Sequence, residues 1–446
     1  METLIKRCCG LDVHQATVVA CLRIARPGKK VSREIRSFAT TTAGLLELRD
    51  WLTAAGCTHV GMESTGVYWR PVHAILEDAF TVIVGNAQRI KNVPGRKTDV
   101  KDAEWLAELL ALGLIPPSFV PDRGLRALRD LVRFRRSLVE ARTDCRNRIL
   151  GVLEGAGIKL ASVATDVFGV SGNDRLQHGR PGHLTPAEIA DLAKGRLRKK
   201  RAALELALHG SVTDDHRLML DLLLGSLNDT EGRIAAIETH INVRLEPYRQ
   251  DHLNLTTIPG VDWAGAASIV AELGTDMAVF GTAGRAAAWS GVAPGNNESG
   301  GRRRRAGARK GNVHLKTTLH TAAVAAGRTK HTYLADKYHR IRARGGPGIA
   351  GGAVAHKILI AAFHILARKV TYRELGAITS TGAPSSAFSA PSCVVLSASA
   401  MMSRSVQKPH DQPARAAVFL GGTLSNAIKG SPHVRNVSAI PGNGRP

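Results

Sequence analysis

Four acidic side chains near the N-terminus have the types and spacing of a divalent-metal site. Asp12 lies inside an apolar β-rich run, Glu63 ends a later run of the same kind, and Asp99 and Asp102 open a helical segment. A carboxylate inside an apolar strand costs solvation energy unless a cation or a hydrogen-bond donor compensates it. Phosphodiester cleavage uses such clusters, because two divalent ions about 3.5–4 Å apart activate the attacking oxygen and stabilise the leaving one. Hard oxygen ligands of this kind select Mg²⁺ or Mn²⁺.

Each of these acids also has a simpler interpretation. Residues spaced like Asp99 and Asp102 share one face of a helix and could point at one metal ion. Acids in the first turn of a helix also stabilise it through the helix dipole, whatever else they do. Glu63 could be an ordinary polar residue at a strand end. His14, on the same side of the strand as Asp12, could lie near the metals, although a bystander is the preferred interpretation.

A strongly basic segment in the C-terminal half is a second candidate site. No acid occurs between Glu298 and Asp336, whereas nine Lys or Arg residues do. Such a stretch repels itself unless a polyanion neutralises it, although a solvated basic loop is the alternative. The predicted DNA contacts in this segment are Arg302, Arg303, Arg304, Arg305, Arg309, Lys310 and Lys316.

Two serines lie close to this arginine run, and Ser299 is preferred over its competitor Ser290 because it is joined to the run directly. Serine is a weak nucleophile at neutral pH, but nearby arginines, metal ions or a carboxylate could activate it or stabilise charge on a phosphate. The glycines Gly300 and Gly301 would let DNA approach closely. Upstream, the turn at Gly260 is typical of a helix-hairpin-helix that offers a helix N-terminus to a phosphate. A helix connection without a ligand is the alternative there.

The elements that must position these residues follow from the periodicity of the chain. Residues 1–120 alternate β-rich and helical runs, which predicts an α/β domain whose first strands form a meander. Residues 121–250 carry long helices with apolar seams, which predicts an antiparallel coiled coil for self-association or an intramolecular bundle. Residues 251–378 are mainly helical and basic. Residues 379–446, rich in Ser and Pro with the single acid Asp411, are predicted to be disordered.

The composition favours a nucleic-acid partner. Lys and Arg number 61 against 37 Asp and Glu, which gives a net charge of +24 and favours a polyanion held by phosphate contacts. No run of 18 apolar residues and no signal peptide is found, so we expect a soluble, intracellular protein without a membrane partner. The six cysteines have neither CxxC nor zinc spacing and are expected to be reduced thiols.

Two further patterns are interpreted as non-functional. Residues 346–351 match G-x-G-x-x-G, but no strand precedes them, so they are expected to form a flexible loop between helices. His356 and His364 share one helix face without carboxylate or cysteine neighbours, and we expect them to be packed rather than metal-bound.

Three strings make the interpretation more specific: GLDVHQ from Gly10, MESTGVYW from Met62 and GRKTDVKDAEWLAELL from Gly95. They resemble the N-terminal domain of the DEDD transposases, the insertion-sequence 110 class, and of the related Piv-type DNA invertases. The resemblance implies an α/β RNase H-like, RuvC-like fold for this domain. It assigns the four family acids, which would hold Mg²⁺ or Mn²⁺, to Asp12, Glu63, Asp99 and Asp102.

The segment from the turn at Gly260 to Ser299 resembles the second signature of the same family, so that the resemblance spans residues 8–376. It implies a transposase or site-specific recombinase with Ser299 as nucleophile, donor and target DNA as substrates and a structured guide RNA. It also implies a homo-oligomer, a dimer or tetramer, that combines the carboxylates of one subunit with the serine of another in the bacterial cytoplasm, at the nucleoid. A RuvC-like structure-specific nuclease that uses water, and an inactive DNA-binding relic, are the alternatives.

Overall fold

The N-terminal part of the chain folds around a mixed five-stranded sheet, in the order β3-β2-β1-β4-β5. Its elements are β1 (Arg7–Val13), β2 (Thr17–Ile24), β3 (Ser32–Ala39), α1 (Thr42–Ala54), β4 (His59–Glu63), α2 (Trp69–Leu76), β5 (Thr81–Gly85) and α3 (Asp102–Ala111). The first three strands pair antiparallel as a meander, whereas β1, β4 and β5 pair in parallel. The predicted α/β domain with a strand meander is therefore confirmed.

The structure, a computed structural model, describes residues 3–64, 66–87, 90, 102–164, 167–168, 185–295, 298–303, 310–374 and 376. All of these belong to one compact unit, Met1–Leu396. Asp99, Arg304, Arg305, Arg309 and the predicted disordered tail, 379–446, lie outside the described residues.

Both faces of the sheet are covered, because successive residues of a strand point to opposite sides. Cys9 and Leu11 of β1 face a core shared with α1 and α2. Cys8 and Gly10 face α3, and the Cys8 thiol lies 3.5 Å from the carbonyl oxygen of Ala107. This burial on both faces explains why β1 is apolar along most of its length.

Gly10 is the point at which α3 and the sheet approach most closely among the sheet glycines described. A Cβ atom at this position would lie 2.3 Å from both the carbonyl oxygen of Ala103 and the amide nitrogen of Ala107. Only glycine leaves room for the helix backbone there. The contact fixes where α3 crosses β1, and therefore where the first residue of α3 lies.

Two long antiparallel helices dominate the middle of the chain. The helices of this region are α4 (Arg123–Gly155), α5 (Leu160–Val163), α6 (Pro186–Asp191), α7 (Arg201–Leu208) and α8 (Asp214–Leu245). Arg135 of α4 binds Glu238 of α8 at 2.6 Å, whereas Arg146, further along α4, binds Glu231, nearer the start of α8, at 2.7 Å. The two helices pack antiparallel within the chain, an arrangement that fits both the predicted antiparallel coiled coil and the intramolecular bundle. A capping box begins α6, because the side chain of Thr185 accepts from the Glu188 N–H and the side chain of Glu188 accepts from the Thr185 N–H.

The remaining helices pack around one largely apolar core. They are α9 (Arg249–Thr256), α10 (Trp263–Leu273), α11 (Ala283–Ser290), α12 (Val313–Ala326) and α13 (Tyr333–Arg368), with a short hairpin of β6 (Glu298–Ser299) and β7 (Arg302–Arg303) before α12. Ala266, Ala267, Ile269 and Val270 of α10 are fully or almost fully buried. The small alanines allow α4, α9 and α12 to contact α10 closely.

The prediction of a flexible loop at residues 346–351 is wrong, because the chain is helical again directly after Gly346. That glycine alone breaks the helix, with a φ of 81° that favours glycine, and Pro347 follows it. Proline is tolerated in the first turn of a helix, where its missing N–H has no partner to lose. The G-x-G-x-x-G match is thus a helix break and the start of the next helical stretch.

One described helix, α13, has the length and composition of a membrane span, but 61% of its most apolar window is buried inside the protein. His356 and His364 on this helix are half-buried, and burial is the main cause that lowers the pKa of each.

Candidate active site

Asp12 and Glu63 lie side by side at the carboxyl ends of two neighbouring parallel strands. The last pairs in the β1–β4 register are Gly10 with Gly61 and Leu11 with Met62, and Asp12 and Glu63 are the next residues on their strands. Adjacent strands are about 4.8 Å apart, and residues in parallel register point to the same face. Both carboxylates therefore belong to the face on which Gly10 contacts α3.

Asp102 lies at the same edge because of the direction of α3. The helix begins at Asp102, its residue Ala103 lies over Gly10, and its last residue, Ala111, accepts hydrogen bonds from Leu4 and Ile5 before β1. The N-terminus of α3 is thus at the Asp12 end of β1, and Asp102 is exposed there. The partial positive charge of a helix N-terminus also favours carboxylates nearby.

His14 contacts the site directly. Its Nε2 atom lies 3.0 Å from Oδ2 of Asp12, while 28% of the Asp12 side chain remains accessible to solvent. The β1–β2 turn holds His14 in place, because its backbone N–H donates to the carbonyl of Thr17. The sequence left open whether His14 lies near the metal site or is a bystander, and its contact with Asp12 favours the first alternative.

The donor chemistry fits a hard divalent cation, since Asp12, Glu63 and Asp102 all offer carboxylate oxygens. In the described part of the chain, no three His, Cys, Asp or Glu residues come together closely enough to hold a metal ion. The fourth predicted ligand, Asp99, lies outside that part.

Ser299 lies on a short hairpin with a glycine turn. Ser299 pairs with Arg302, and Glu298 pairs with Arg303, so that Gly300 and Gly301 form the two-residue connection. Both glycines have positive φ, 58° and 72°, as the favoured two-residue hairpin turns require. Among the described residues, a Cβ atom at either glycine would meet nothing within 4 Å.

Ser290 occupies a very different environment. It ends α11, is fully buried, and its hydroxyl donates a hydrogen bond of 3.1 Å to the carbonyl of Ala287. A buried hydroxyl with a backbone partner cannot reach a DNA phosphate without local unfolding. The geometry therefore disfavours Ser290 as the nucleophile.

The predicted phosphate contacts differ in their surroundings. Arg302 and Lys310 are exposed and Lys316 on α12 is half-buried. Gly260 packs against α12, because a Cβ atom there would lie 2.3 Å from the carbonyl oxygen of Ala322. The side chain of Asp262 caps α10 by accepting from the Gly265 N–H, which puts a carboxylate where the predicted phosphate contact would lie.

A buried carboxylate anchors the segment that carries Ser299, and sequence reasoning missed it. Glu272, with 2% of its side chain exposed, receives hydrogen bonds from Arg133 at 2.7 and 2.9 Å and from Asn312 at 2.6 Å. Arg129 lies 3.3 Å from the same carboxylate. Burial raises the pKa of Glu272, but the hydrogen bond from Arg133 and the charges of both arginines outweigh it and lower that pKa overall. An acid inside the apolar helix IVAEL was the available signal.

Both ends of the serine-bearing segment, 291–311, are held together. Asn312, which binds Glu272, also caps α12, and its backbone N–H donates to the carbonyl of Trp289. Next to it, Gly311 packs so closely on Ser290 and Gly291 that a Cβ atom would lie 2.4 Å from the Gly291 nitrogen. The segment therefore begins and ends at one point of the helical core.

Comparison with known families identifies the chain. Residues 9–158 match a transposase model, the DEDD domain of the IS110 class, and residues 252–340 match a second model, described as transposase of the IS116/IS110/IS902 family. No curated protein matches the chain. The first match contains all four predicted acids and the second contains Ser299, and together they cover more than half of the sequence. The chain therefore belongs to the IS110 class of insertion-sequence transposases, which act in DNA recombination.

Proposed function

We propose that this transposase cuts and rejoins DNA with the carboxylates of Asp12, Glu63, Asp99 and Asp102 and the hydroxyl of Ser299. The observation that carries the proposal is the register of β1 and β4, which brings Asp12 and Glu63 together beside the first residue of α3. The strand order, a meander followed by two parallel strands, supports the RuvC-like fold that the resemblance implies.

The carboxylates fit Mg²⁺ or Mn²⁺, which when bound would activate the attacking oxygen and stabilise the leaving one. The Ser299 hydroxyl attacks a DNA phosphorus, and its proton passes to a nearby carboxylate. The bond from phosphorus to the leaving sugar oxygen breaks, and that oxygen takes up the proton held by the carboxylate. A hydroxyl of a second DNA strand then attacks the same phosphorus and gives its proton to the carboxylate. The bond from phosphorus to the serine oxygen breaks, the serine oxygen takes that proton back, and the new phosphodiester bond rejoins the DNA.

Exposed cations near Ser299 would hold the DNA backbone during these steps. Arg302 and Lys310 flank the turn and the segment end, and guanidinium groups suit phosphates because they donate two parallel hydrogen bonds. Arg303, Arg304, Arg305, Arg309 and Lys316 belong to the same proposed contact set. The contacts of Gly260 and Asp262 favour a packing role for that turn instead.

The family membership supports three further parts of the proposal. A structured guide RNA selects the donor and target DNA, the protein acts as a dimer or tetramer, and the carboxylates of one subunit work with the serine of another. The site of action is then the bacterial cytoplasm, at the nucleoid.

The test is a strand-transfer assay with the element's own ends and its flanking transcript, read for a covalent protein–DNA adduct. We expect the wild-type protein to form the adduct in Mg²⁺, Ser299→Ala to lose it, and Ser290→Ala to keep it as the matched control. We expect Asp12→Ala or chelation of the metal to abolish cleavage. Cleavage by Ser299→Ala at the wild-type rate would instead indicate a nuclease that uses water, and no metal-dependent cleavage at all would indicate a DNA-binding relic.

A further inference from the structure

The connection that follows Glu63 exposes two neighbouring apolar side chains. Val67 is 61% exposed and Tyr68 is 40% exposed, between the end of β4 and the start of α2. Among the described aromatic residues, only Tyr68 and Phe134 are exposed. Single exposed apolar residues are common, but an adjacent exposed pair close in sequence to a candidate active-site carboxylate indicates a surface that binds another molecule.

The backbone under Tyr68 is held firmly although its ring is exposed. The N–H of Arg70 donates to the carbonyl of Val67 and closes the turn. Directly after Tyr68, Trp69 packs on the sheet core, and Val72 of the same helix is fully buried. Arg70 also binds Asp130 of α4 at 3.2 Å. A fixed backbone and two side-chain torsions mean that little conformational entropy is lost when the ring makes a contact.

The ring also has a free surface. The edge of the Tyr68 ring lies over Gly66, where a Cβ atom would be 3.6 Å from it, and Gly66 has a positive φ of 58°. Within the described residues, the Tyr68 hydroxyl makes no hydrogen bond and the ring stacks on no other aromatic group. Neither burial nor an internal partner thus accounts for an aromatic residue at this position.

The distance to the carboxylates limits what the ring can contact. Tyr68 follows Glu63 by five positions along the chain, which allows about 18 Å between their Cα atoms when fully extended and less with the turn. That reach corresponds to roughly five base steps of B-DNA at 3.4 Å each. A base stacked on Tyr68 would therefore lie within about five nucleotides of the phosphate held at Asp12 and Glu63.

We propose that Tyr68, with Val67 beside it, stacks on a base of the DNA strand that is cut, within a few nucleotides of the scissile phosphate. This inference rests on the proposed function, because it takes the carboxylate edge as the site of cleavage. Aromatic rings stack on any base through its π-face, and apolar side chains insert at base steps. Tyr68 would thus position the strand, while Asp12 and Glu63 act on its phosphate.

The experiment uses the full-length protein and a DNA duplex carrying the element's end, with 2-aminopurine at successive positions around the cleavage site. Calcium replaces magnesium so that the strands stay intact, and the flanking transcript is present. We expect wild-type protein to change the 2-aminopurine emission at one position and Tyr68→Ala to abolish that change. We expect Tyr68→Ala to weaken DNA binding roughly tenfold, the scale of one base–aromatic stack, and Tyr68→Trp to bind as the wild type does.

Two controls separate stacking from other effects. The slope of affinity against salt should be the same for Tyr68→Ala and wild type, because no phosphate contact is lost. Phe134→Ala, the other exposed aromatic, should bind like the wild type. If Tyr68→Ala gives the same 2-aminopurine emission and DNA affinity as the wild type, and the wild type cleaves in Mg²⁺, the stacking inference is overturned while the proposed function stands. A wild-type protein that binds DNA without Asp12-dependent cleavage would overturn the proposed function instead.

Discussion

Asp12 and His14 form a pair within the first strand and its turn, with 3.0 Å between Nε2 and Oδ2. A histidine in contact with a metal-binding carboxylate fixes the orientation of that carboxylate. The β1–β2 turn holds the histidine backbone, while 59% of the His14 side chain is exposed to solvent.

We therefore expect His14→Ala to raise the Mg²⁺ concentration needed for half-maximal cleavage by about 10–100-fold, the usual loss of metal affinity when such a partner is removed. The measurement is a titration of strand cleavage with Mg²⁺ at constant pH. His240→Ala, at an exposed position of α8, is the matched control and should titrate like the wild type. An unchanged titration in His14→Ala would show that the pair has no part in metal binding.

At the scale of single residues, the sequence predicted which residues are candidates for the site better than it predicted which residues contact each other. Asp12 was recognisable because a carboxylate in an apolar strand is costly, and the structure shows it next to Glu63. The sequence left open whether His14 lies near the carboxylates, because spacing along a strand does not fix the conformation of the turn that follows it. Glu272 was missed because its partners, Arg133 and Asn312, lie far away in the chain and meet it only in the folded protein.

At the scale of elements, the packing of α3 on β1 decides whether the acids meet. Gly10 makes this packing possible, since a Cβ atom would lie 2.3 Å from two backbone atoms of α3. Periodicity predicted the helix and the strand, but the close crossing depends on a single missing side chain. The same kind of contact, Gly260 on α12, explains a glycine that sequence reasoning had assigned to phosphate binding.

We expect Gly10→Ala to lower the free energy of unfolding by about 1–3 kcal/mol or more, because overpacked backbone must shift. Cleavage should fall as well, since α3 carries Asp102. Gly151→Ala, at an exposed position in the last turns of α4 where a Cβ atom would meet none of the described atoms within 4 Å, is the matched control and should stabilise the protein by about 0.5–1 kcal/mol. Urea denaturation of both variants measures the difference, and equal stability of Gly10→Ala and wild type would contradict the packing argument.

For the molecule as a whole, Glu272 joins three helices, because Arg133 lies on α4, Glu272 on α10 and Asn312 at the start of α12. Removing one partner of a buried ion pair leaves the other charge without compensation. We expect Glu272→Gln to lower the free energy of unfolding by about 3–5 kcal/mol at pH 7. Glu140→Gln, which breaks an exposed pair with Arg136, is the control and should change it by less than about 1 kcal/mol.

The pH dependence of this effect has a definite sign. The pKa of Glu272 is lowered in the folded protein from its ordinary value of about 4.5. The carboxylate therefore stabilises the fold fully above that pH, and the contribution is lost as the pH falls through the lower folded value. Denaturation curves at pH 7 and at acidic pH should show the gap between wild type and Glu272→Gln narrowing in acid, and a constant gap would contradict this assignment.

The net charge of +24 predicts a steep salt dependence of DNA binding. The logarithm of the affinity should fall linearly with the logarithm of salt concentration, by about 0.9 for each phosphate contacted. Arg302→Ala and Lys310→Ala should each reduce the slope by roughly one unit, whereas Lys29→Ala, in the β2–β3 connection, should leave it unchanged. Fluorescence anisotropy over a salt series measures these slopes, and a flat response in the wild type would contradict phosphate binding.

The segment 291–311 begins and ends at one point of the helical core, where Trp289 and Ser290 contact Gly311 and Asn312. The segment can therefore be replaced as a unit. Lengthening a loop whose two ends lie close together costs little, because the loop-closure entropy adds only about 0.6 kcal/mol for each doubling of its length. Chain length and charge can therefore vary between those anchor points while the helical scaffold keeps its shape. Grafting the stretch from one family member into another is thus a practical way to exchange DNA-handling properties between them.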